Sequence, residues 1–125
     1  MNRIVVTDAN ILINLIHIGR LDLLGVLPGF EFVVPPEAVE EVGESQQAAA
    51  LADALGKGLI RREPVTAIPA LTLYGELVKF LGRGEAACLS LAVTNGWLIA
   101  SDEKRAFRRE VLARIGAARL LNTPG

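Results

Sequence analysis

An apolar run at the start of the chain is the first element that the hydrophobic pattern predicts. Ile4, Val5 and Val6 are β-branched and follow one another without a polar residue, which is typical of a strand buried on both faces. The run ends before Asp8, and an apolar segment at roughly helical spacing follows over residues 11–16. Asp8 is therefore expected at the carboxyl end of a central strand, either as a helix cap or as part of a ligand site.

The pattern over the rest of the chain predicts strands that alternate with helices. Further strands are predicted at residues 30–34, 59–62, 97–100 and 118–121. Helices are predicted at residues 11–16, 21–27, 37–55, 70–81, 85–94 and 103–115. A proline-bounded loop is predicted at residues 64–69. This alternation is typical of an α/β fold in which helices cover both faces of a parallel sheet of about five strands, a three-layer α/β/α arrangement.

Length and composition narrow the class of protein. The 125 residues predict one domain, and a hydrophobic content of 51% is enough for a core and too high for disorder. The net charge of -1 argues against a protein that coats polyanions non-specifically. The single cysteine, Cys88, excludes an internal disulfide and fits a reducing cytosol. No apolar run approaches the ~20 residues of a membrane span, and the early first strand leaves no room for a signal peptide, so a cytoplasmic location is expected.

Two aspartates directly follow predicted strands. Asp8 follows the first strand, and Asp102 lies just past the strand at residues 97–100. Because the carboxyl ends of parallel strands share one edge of the sheet, both carboxylates are expected there, where α/β folds bind ligands. Glu85 opens an apolar, and therefore central, helix whose first turn faces the same edge. The helix dipole alone favours an acid there by ~0.3–1 kcal/mol, so Glu85 is either a dipole-stabilising residue or a site residue.

The helix predicted at residues 37–55 begins with a run of acids, and a helical wheel separates them. Its apolar direction is set by the alanine and the valines of the first two turns. Glu41 lies roughly 105° from this direction, at the border of the buried face, whereas Glu37 and Glu40 lie roughly 150° away. Glu41 is therefore either a site residue or a boundary residue, and the other acids are expected to form a solvated charged face.

Four acids from four separate segments are predicted to converge: Asp8, Glu41, Glu85 and Asp102. Crowded carboxylates repel one another and raise each other's pKa values, and a divalent cation removes that conflict. Oxygen ligands without clustered histidine or cysteine select Mg²⁺ or Mn²⁺ over Zn²⁺. The chemistry that such a site predicts is hydrolysis of a phosphodiester by a metal-activated water.

Four acidic segments, in this order and at this spacing, resemble the four motifs of PIN domains: Val6–Ile13, Val34–Val42, Gly82–Ala87 and Leu98–Asp102. The resemblance spans nearly the whole chain, and it implies strand order 3-2-1-4-5 and a ribonuclease that uses Mg²⁺ or Mn²⁺. It also implies the toxin of a toxin–antitoxin pair of the VapC type, with RNA as substrate and an antitoxin protein as partner. The alternative is a non-catalytic PIN-like module that binds RNA or a protein.

The resemblance also implies roles for the residues at the motif positions. The cation is expected to be held by three acids: Asp8, Glu85 and Asp102. Glu41 is expected to hold it through water or to orient the attacking water. Asn10 and Ser101 match polar positions that support these acids. A haloacid-dehalogenase-like site would instead need a second aspartate at the position of Asn10.

Cationic side chains near the acids are candidate contacts for RNA phosphates: Arg83, Lys104, Arg105 and Arg108. The last three begin the predicted helix after Asp102, where they oppose the helix dipole. Lys104 and Arg108 fall on its apolar side, so the alternative is that their stems pack and their charged heads reach water. His17 and Cys88 lie on apolar helices without a second metal ligand or a base nearby, and both are expected to be structural.

Two apolar stripes at helical spacing are predicted to form a homodimer interface: Leu21, Leu24 and Leu27, and Ala70, Leu73, Leu77 and Phe80. A domain of this size has limited interior to absorb them, and exposed apolar patches mark interfaces. The resemblance points the same way, because PIN-type toxins commonly dimerise. The alternative is that the stripes pack on the sheet and belong to the core.

Overall fold

The computed structural model of the protein describes residues 3–101 and 120–122. The strands are β1 (Arg3–Thr7), β2 (Phe30–Val34), β3 (Arg61–Arg62), β4 (Leu98–Ser101) and β5 (Leu120–Asn122). The helices are α1 (Ala9–His17), α2 (Leu23–Val26), α3 (Pro36–Glu41), α4 (Ser45–Gly56), α5 (Ile68–Leu77) and α6 (Arg83–Asn95). The helix predicted at residues 103–115 lies outside the described residues. None of the helices in the described part of the chain has the length and apolar character needed to cross a membrane.

The sheet is organised around β1, with strand order β3-β2-β1-β4-β5 and every pairing parallel. In β1, Val5 lies between Phe32 of β2 and Leu98 of β4. Successive strand residues point to opposite faces, and Val5 and Val6 are both fully buried, so helices cover the two faces of the sheet. The predicted α/β class, the parallel sheet and the strand order are confirmed.

The helix predicted over residues 37–55 is wrong as one element, because the structure contains two helices there. The backbone leaves α3 at Val42, and Glu44 then caps α4. The Glu44 carboxylate accepts hydrogen bonds from the backbone N–H groups of Gln46 and Gln47, both at 3.0 Å. A side chain that satisfies the free amides of a new helix makes the break stable.

Lowering the pH should weaken the Glu44 cap on α4. The two amide bonds, that of Gln46 first, hold the pKa of the Glu44 carboxyl below its usual 4.5. A carboxyl whose pKa is lower in the folded state than in the unfolded chain stabilises the fold above the unfolded value, and loses that contribution as pH falls through the folded value. We therefore expect Glu44→Gln to flatten the fall in melting temperature between about pH 5 and pH 3. An unchanged acid limb in thermal unfolding would contradict this.

The observed bounds of α5 and β3 also differ from the predicted ones. Helix α5 begins at Ile68, inside the predicted loop, because Pro69 sits in the first turn, where its missing N–H costs nothing. It ends at Leu77 rather than at Leu81. The third strand is confined to Arg61 and Arg62, which pair with Val33 and Val34 at the edge of the sheet.

Most of the two apolar stripes belong to the core, which corrects the prediction that they form an interface. Helix α5 packs on α6, and α2 packs on β2. Leu24, Ala70 and Leu77 are buried. Leu21 and Leu73 are partly buried against the core. Leu27 and Phe80 remain as the exposed members, with 43% and 54% of their surface accessible.

Helix α6 is the central helix, as its composition predicted. It contacts α3, α5, β1 and β4. Ala86, Ala87, Cys88 and Leu89 are fully buried in consecutive positions, so every side of the helix is covered there. The first turn of this helix is consequently fixed relative to the end of β1, and this relation positions the candidate site.

Candidate active site

Asp8 lies where β1 passes into α1, at the predicted edge of the sheet. Its backbone is extended, and its carboxylate Oδ1 accepts a hydrogen bond from the backbone N–H of Ile11 at 2.8 Å. The predicted capping role is therefore present. Only 3% of the Asp8 surface is exposed. Burying a carboxylate is costly unless polar or charged partners compensate it, and the Ile11 amide is one such partner.

The end of β1 is tied to its neighbours by two buried hydrogen bonds. The hydroxyl of Thr7 donates to the carbonyl oxygen of Val33 in β2 at 2.9 Å. The Cys88 thiol of α6 donates to the carbonyl oxygen of Thr7 at 3.3 Å. Cys88 is free and buried, and it serves the structural role predicted for it. These bonds fix the position of Asp8 relative to α6.

Glu41 ends α3 and reaches across to the start of α6. Its Oε1 accepts a hydrogen bond from the backbone N–H of Gly84 at 2.8 Å. The side chain is exposed, and among the described residues its Oε2 accepts no hydrogen bond. Glu41 is therefore held in place at one carboxylate oxygen.

Glu85 lies one turn into α6 and folds back on the beginning of its own helix. Its Oε1 accepts a hydrogen bond from the backbone N–H of Gly82 at 3.2 Å. Gly82 has no side chain to return the bond, so this is half of a capping box. Glu85 therefore occupies the position from which it can stabilise the helix dipole, and its side chain is half-buried.

The buried Cys88 thiol lies within the electrostatic influence of several of the acids. Burial is the main cause that raises the pKa of this thiol well above its usual value. The negative charges of four carboxylates raise it further: Asp8, Glu41, Glu37 and Glu85, in this order. Asp8, Glu41 and Glu85, from three segments of the chain, thus all act on the charge environment of this thiol, and their convergence into one site stays a prediction.

Glu37 is half-buried in the first turn of α3, which corrects the prediction that it belongs to a solvated face. Its Oε1 is shielded from solvent and has no hydrogen-bond partner among the described residues. The helical wheel missed it because α3 has only six residues and packs closely against α6. Its position one turn after the end of β2 was the available signal.

The described acids do not form a complete metal site by themselves. Within residues 3–101 and 120–122, no group of three or more His, Cys, Asp or Glu side chains is arranged to hold a metal ion. Glu41 and Glu85 are both turned toward backbone amides at the start of α6. Asp102 lies outside the described residues. The donor set nevertheless suits Mg²⁺ or Mn²⁺, because it consists of carboxylate oxygens and includes Glu37 Oε1, which accepts no hydrogen bond from the part of the chain that the structure describes.

The predicted supporting residues flank the end of β1. Asn10 is half-buried in the first turn of α1. Ser101 ends β4, one residue beyond the Ala100 that pairs with Thr7, so its backbone lies at the level of Asp8. Their roles stay predictions.

Arg83 is the candidate RNA contact that falls among the described residues. It opens α6 and is exposed, with Nη2 at 3.6 Å from Oε2 of Glu40. A hydrogen bond with Tyr74 and then the charge of Glu40 raise the pKa of Arg83, so it is protonated at any working pH. The other three predicted contacts lie outside the described residues: Lys104, Arg105 and Arg108.

His17 is an exposed residue at the end of α1. Its Nε2 lies 2.8 Å from Nε2 of Gln47, which connects α1 to α4. This contact accords with the structural role predicted for it.

The fold and the acids around the start of α6 define an α/β domain with an acidic carboxyl edge. The family model DUF3368, described as a PIN domain, matches residues 4–119. The chain belongs to this family of PIN domains. Among curated proteins, none matches the chain.

A solved structure with the same fold is similar over nearly the whole length. It is the crystal structure of VapBC2 from Rickettsia felis bound to a DNA fragment from their promoter. The matched chain has a TM-score of 0.68 and 16% identity, and the match covers 97% of this chain and 99% of that one. At this identity the likeness establishes the fold alone.

Proposed function

We propose that this protein is an endoribonuclease that depends on Mg²⁺ or Mn²⁺, and that it is the toxin of a toxin–antitoxin pair. The observation that carries the proposal is that contacts bring three acid-bearing segments together at the start of α6. Glu41 of α3 accepts a hydrogen bond from the Gly84 amide beside Glu85, and the Cys88 thiol of α6 donates to the Thr7 carbonyl next to Asp8. Membership of the PIN-domain family supports it. A site that crowds acids at the carboxyl edge of a parallel sheet suits the binding of a cation and a phosphate.

The proposed roles of the acids follow their positions. Asp8 and Glu85, together with Asp102, hold the cation, while Glu41 holds it through water or orients the attacking water. When bound, such an ion activates water for phosphodiester hydrolysis. Glu41 suits its role because Oε1 is fixed by Gly84 and Oε2 accepts no hydrogen bond among the described residues.

Four cationic residues are proposed to position the RNA backbone: Arg83, Lys104, Arg105 and Arg108. The salt bridge of Arg83 with Glu40 is exposed on both sides, so exchange of Glu40 for a phosphate costs little. Contacts of this kind neutralise phosphates and make binding dependent on salt.

An antitoxin protein is the proposed partner, and the cytoplasm, where RNA is available, is the proposed location. The partner is suggested by the similar structure, which is a VapBC2 complex. A purified complex with a second small protein from the same host, whose addition inhibits RNA cleavage, would support this assignment.

The function is tested by incubating the purified protein with RNA in the presence of Mn²⁺, of Mg²⁺ or of EDTA. We expect cleavage inside the RNA chain with either ion and none with EDTA. Cleavage that persists in EDTA would contradict the metal dependence. A protein that binds RNA without cleaving it under any of these conditions would favour the non-catalytic alternative.

Metal binding should also stabilise the fold. The cation binds only the native arrangement of the acids, so it stabilises by mass action, about 2.7 kcal/mol at a hundredfold excess over Kd. We expect Mn²⁺ to raise the melting temperature of the wild type and to raise that of Asp8→Asn much less. An equal rise in both proteins would exclude Asp8 as a ligand.

We also propose a homodimer of closed two-fold symmetry, whose interface contains fewer residues of the apolar stripes than the sequence predicts. Phe80 and Leu27 are the exposed members of the stripes, and Ile68 and Leu71 add exposed apolar surface on α5. Light scattering at micromolar concentration is expected to give a dimer mass for the wild type and a monomer mass for Phe80→Glu. A monomer mass for the wild type would contradict the dimer.

A further inference from the structure

The backbone of Gly84 approaches the Glu41 carboxylate more closely than any other residue type would allow. The Gly84 N–H donates to Oε1 of Glu41 at 2.8 Å. A Cβ atom on residue 84 would lie 2.5 Å from Oε1, 2.8 Å from Cδ and 2.9 Å from Oε2 of Glu41. These distances are well inside van der Waals contact, so a side chain at residue 84 and the observed position of the Glu41 carboxylate exclude each other.

Two nearby glycines, one directly before α6 and one inside α5, do not have this requirement. A Cβ atom on Gly82 would lie 3.4 Å from Oε1 of Glu85, which is an ordinary contact. A Cβ atom on Gly75, inside α5, would meet no atom of the described residues within 4 Å. Gly84 also has no left-handed backbone conformation, so the space taken by Glu41 is the reason that glycine is needed there.

We propose that Gly84 is the positioning residue for Glu41, and this inference rests on the proposed function. The Gly84 amide fixes one carboxylate oxygen, and the missing Cβ leaves room for the whole carboxylate beside α6. Because Glu41 and Gly84 are 43 residues apart, this bond also holds α3 against the start of the central helix. The bond between Arg83 and Glu40 joins the same two helices at the adjacent positions.

The expected consequence of Gly84→Ala is a local movement without unfolding. The atoms that would clash belong to the end of a flexible side chain, so the Glu41 carboxylate can rotate away. Alanine is also a better helix former than glycine, which favours α6 itself. The variant should therefore keep its fold and lose the placement of Glu41.

The experiment compares Gly84→Ala with Gly75→Ala, a matched glycine-to-alanine change in a neighbouring helix. For Gly84→Ala we expect kcat to fall about 10- to 100-fold with little change in KM, the size expected for a group displaced by about 1 Å. The melting temperature without metal should stay within about 3 °C of the wild type, since no core contact is lost. Gly75→Ala should retain wild-type activity. Equal activities of the two variants would overturn the positioning role.

A double-mutant cycle separates positioning from a general structural effect. Glu41→Asp shortens the side chain and withdraws the carboxylate from the added methyl group. It should lower kcat strongly in the wild-type background and weakly, or not at all, in the Gly84→Ala background, because the two changes remove the same interaction. Losses that simply multiply would overturn the inference.

An independent readout uses the metal-free protein and no catalysis. The amide proton of Gly84 should resonate downfield in the wild type and move upfield in Glu41→Asp, as the hydrogen bond lengthens. An unchanged resonance would overturn the positioning role even if the wild type cleaves RNA. Conversely, a wild type that shows this shift and cleaves no RNA would leave the contact in place and refute the proposed function.

Discussion

Asp8→Asn is expected to abolish most of the ribonuclease activity while leaving the fold intact. Asparagine keeps an oxygen that can accept the Ile11 N–H bond, so the cap on α1 survives. The change removes one of the negative charges that act on the buried Cys88 thiol. We expect kcat to fall about a hundredfold or more, the loss that follows removal of one preorganised polar group from a catalytic site.

A second substitution at the same position separates charge from capping. Asp8→Ala removes the carboxylate and the cap together, and loss of an N-cap costs about 1 kcal/mol. Thermal unfolding without metal should therefore place Asp8→Ala below the wild type and Asp8→Asn at or above it, since crowded acids repel one another. Substantial metal-dependent cleavage by Asp8→Asn would remove Asp8 from the proposed site.

Leu12→Ala is expected to have the largest effect on stability. Leu12 is fully buried on the inner side of α1, one residue after the amide that Asp8 caps. Leucine-to-alanine changes in a packed core cost about 2–5 kcal/mol, because contacts are lost and a cavity remains. For a domain of this size, that corresponds to a fall of about 8–20 °C in melting temperature.

The control for this change is Ile18→Ala. Ile18 lies directly after α1 with 67% of its surface exposed. Its replacement should change the free energy of unfolding by no more than about 0.5 kcal/mol, as surface substitutions usually do. Urea unfolding of the two variants decides the matter, and equal losses of stability would mean that α1 does not pack as described.

The central strand and the acids near it could be predicted because local sequence determines them. Three consecutive β-branched residues can be buried on both faces only in a central strand, and Val5 and Val6 are fully buried there. Once β1 is central and parallel to its neighbours, Asp8 must lie at the carboxyl edge. The helical wheel likewise selected Glu41, which sits at the junction of α3 and α6.

Other features depended on contacts between distant parts of the chain. The break before α4 arises from the Glu44 cap, which competes with a continuous helix. Glu37 is shielded because α3 packs on α6, a relation that periodicity within one helix does not contain. The need for glycine at residue 84 comes from a carboxylate 43 residues away. The sequence predicts an interface from the apolar stripes because a single sequence does not show which helices cover one another.

The most direct test of the proposed site is the position of bound Mn²⁺ in crystals of the wild type, located by its anomalous scattering. We expect one strong peak within about 2.5 Å of carboxylate oxygens of Asp8 and Glu85, at the distance of a hard cation from oxygen ligands. The peak should be absent from Asp8→Asn crystals treated in the same way. A Mn²⁺ peak elsewhere, or none at saturating Mn²⁺, would contradict the proposed metal site.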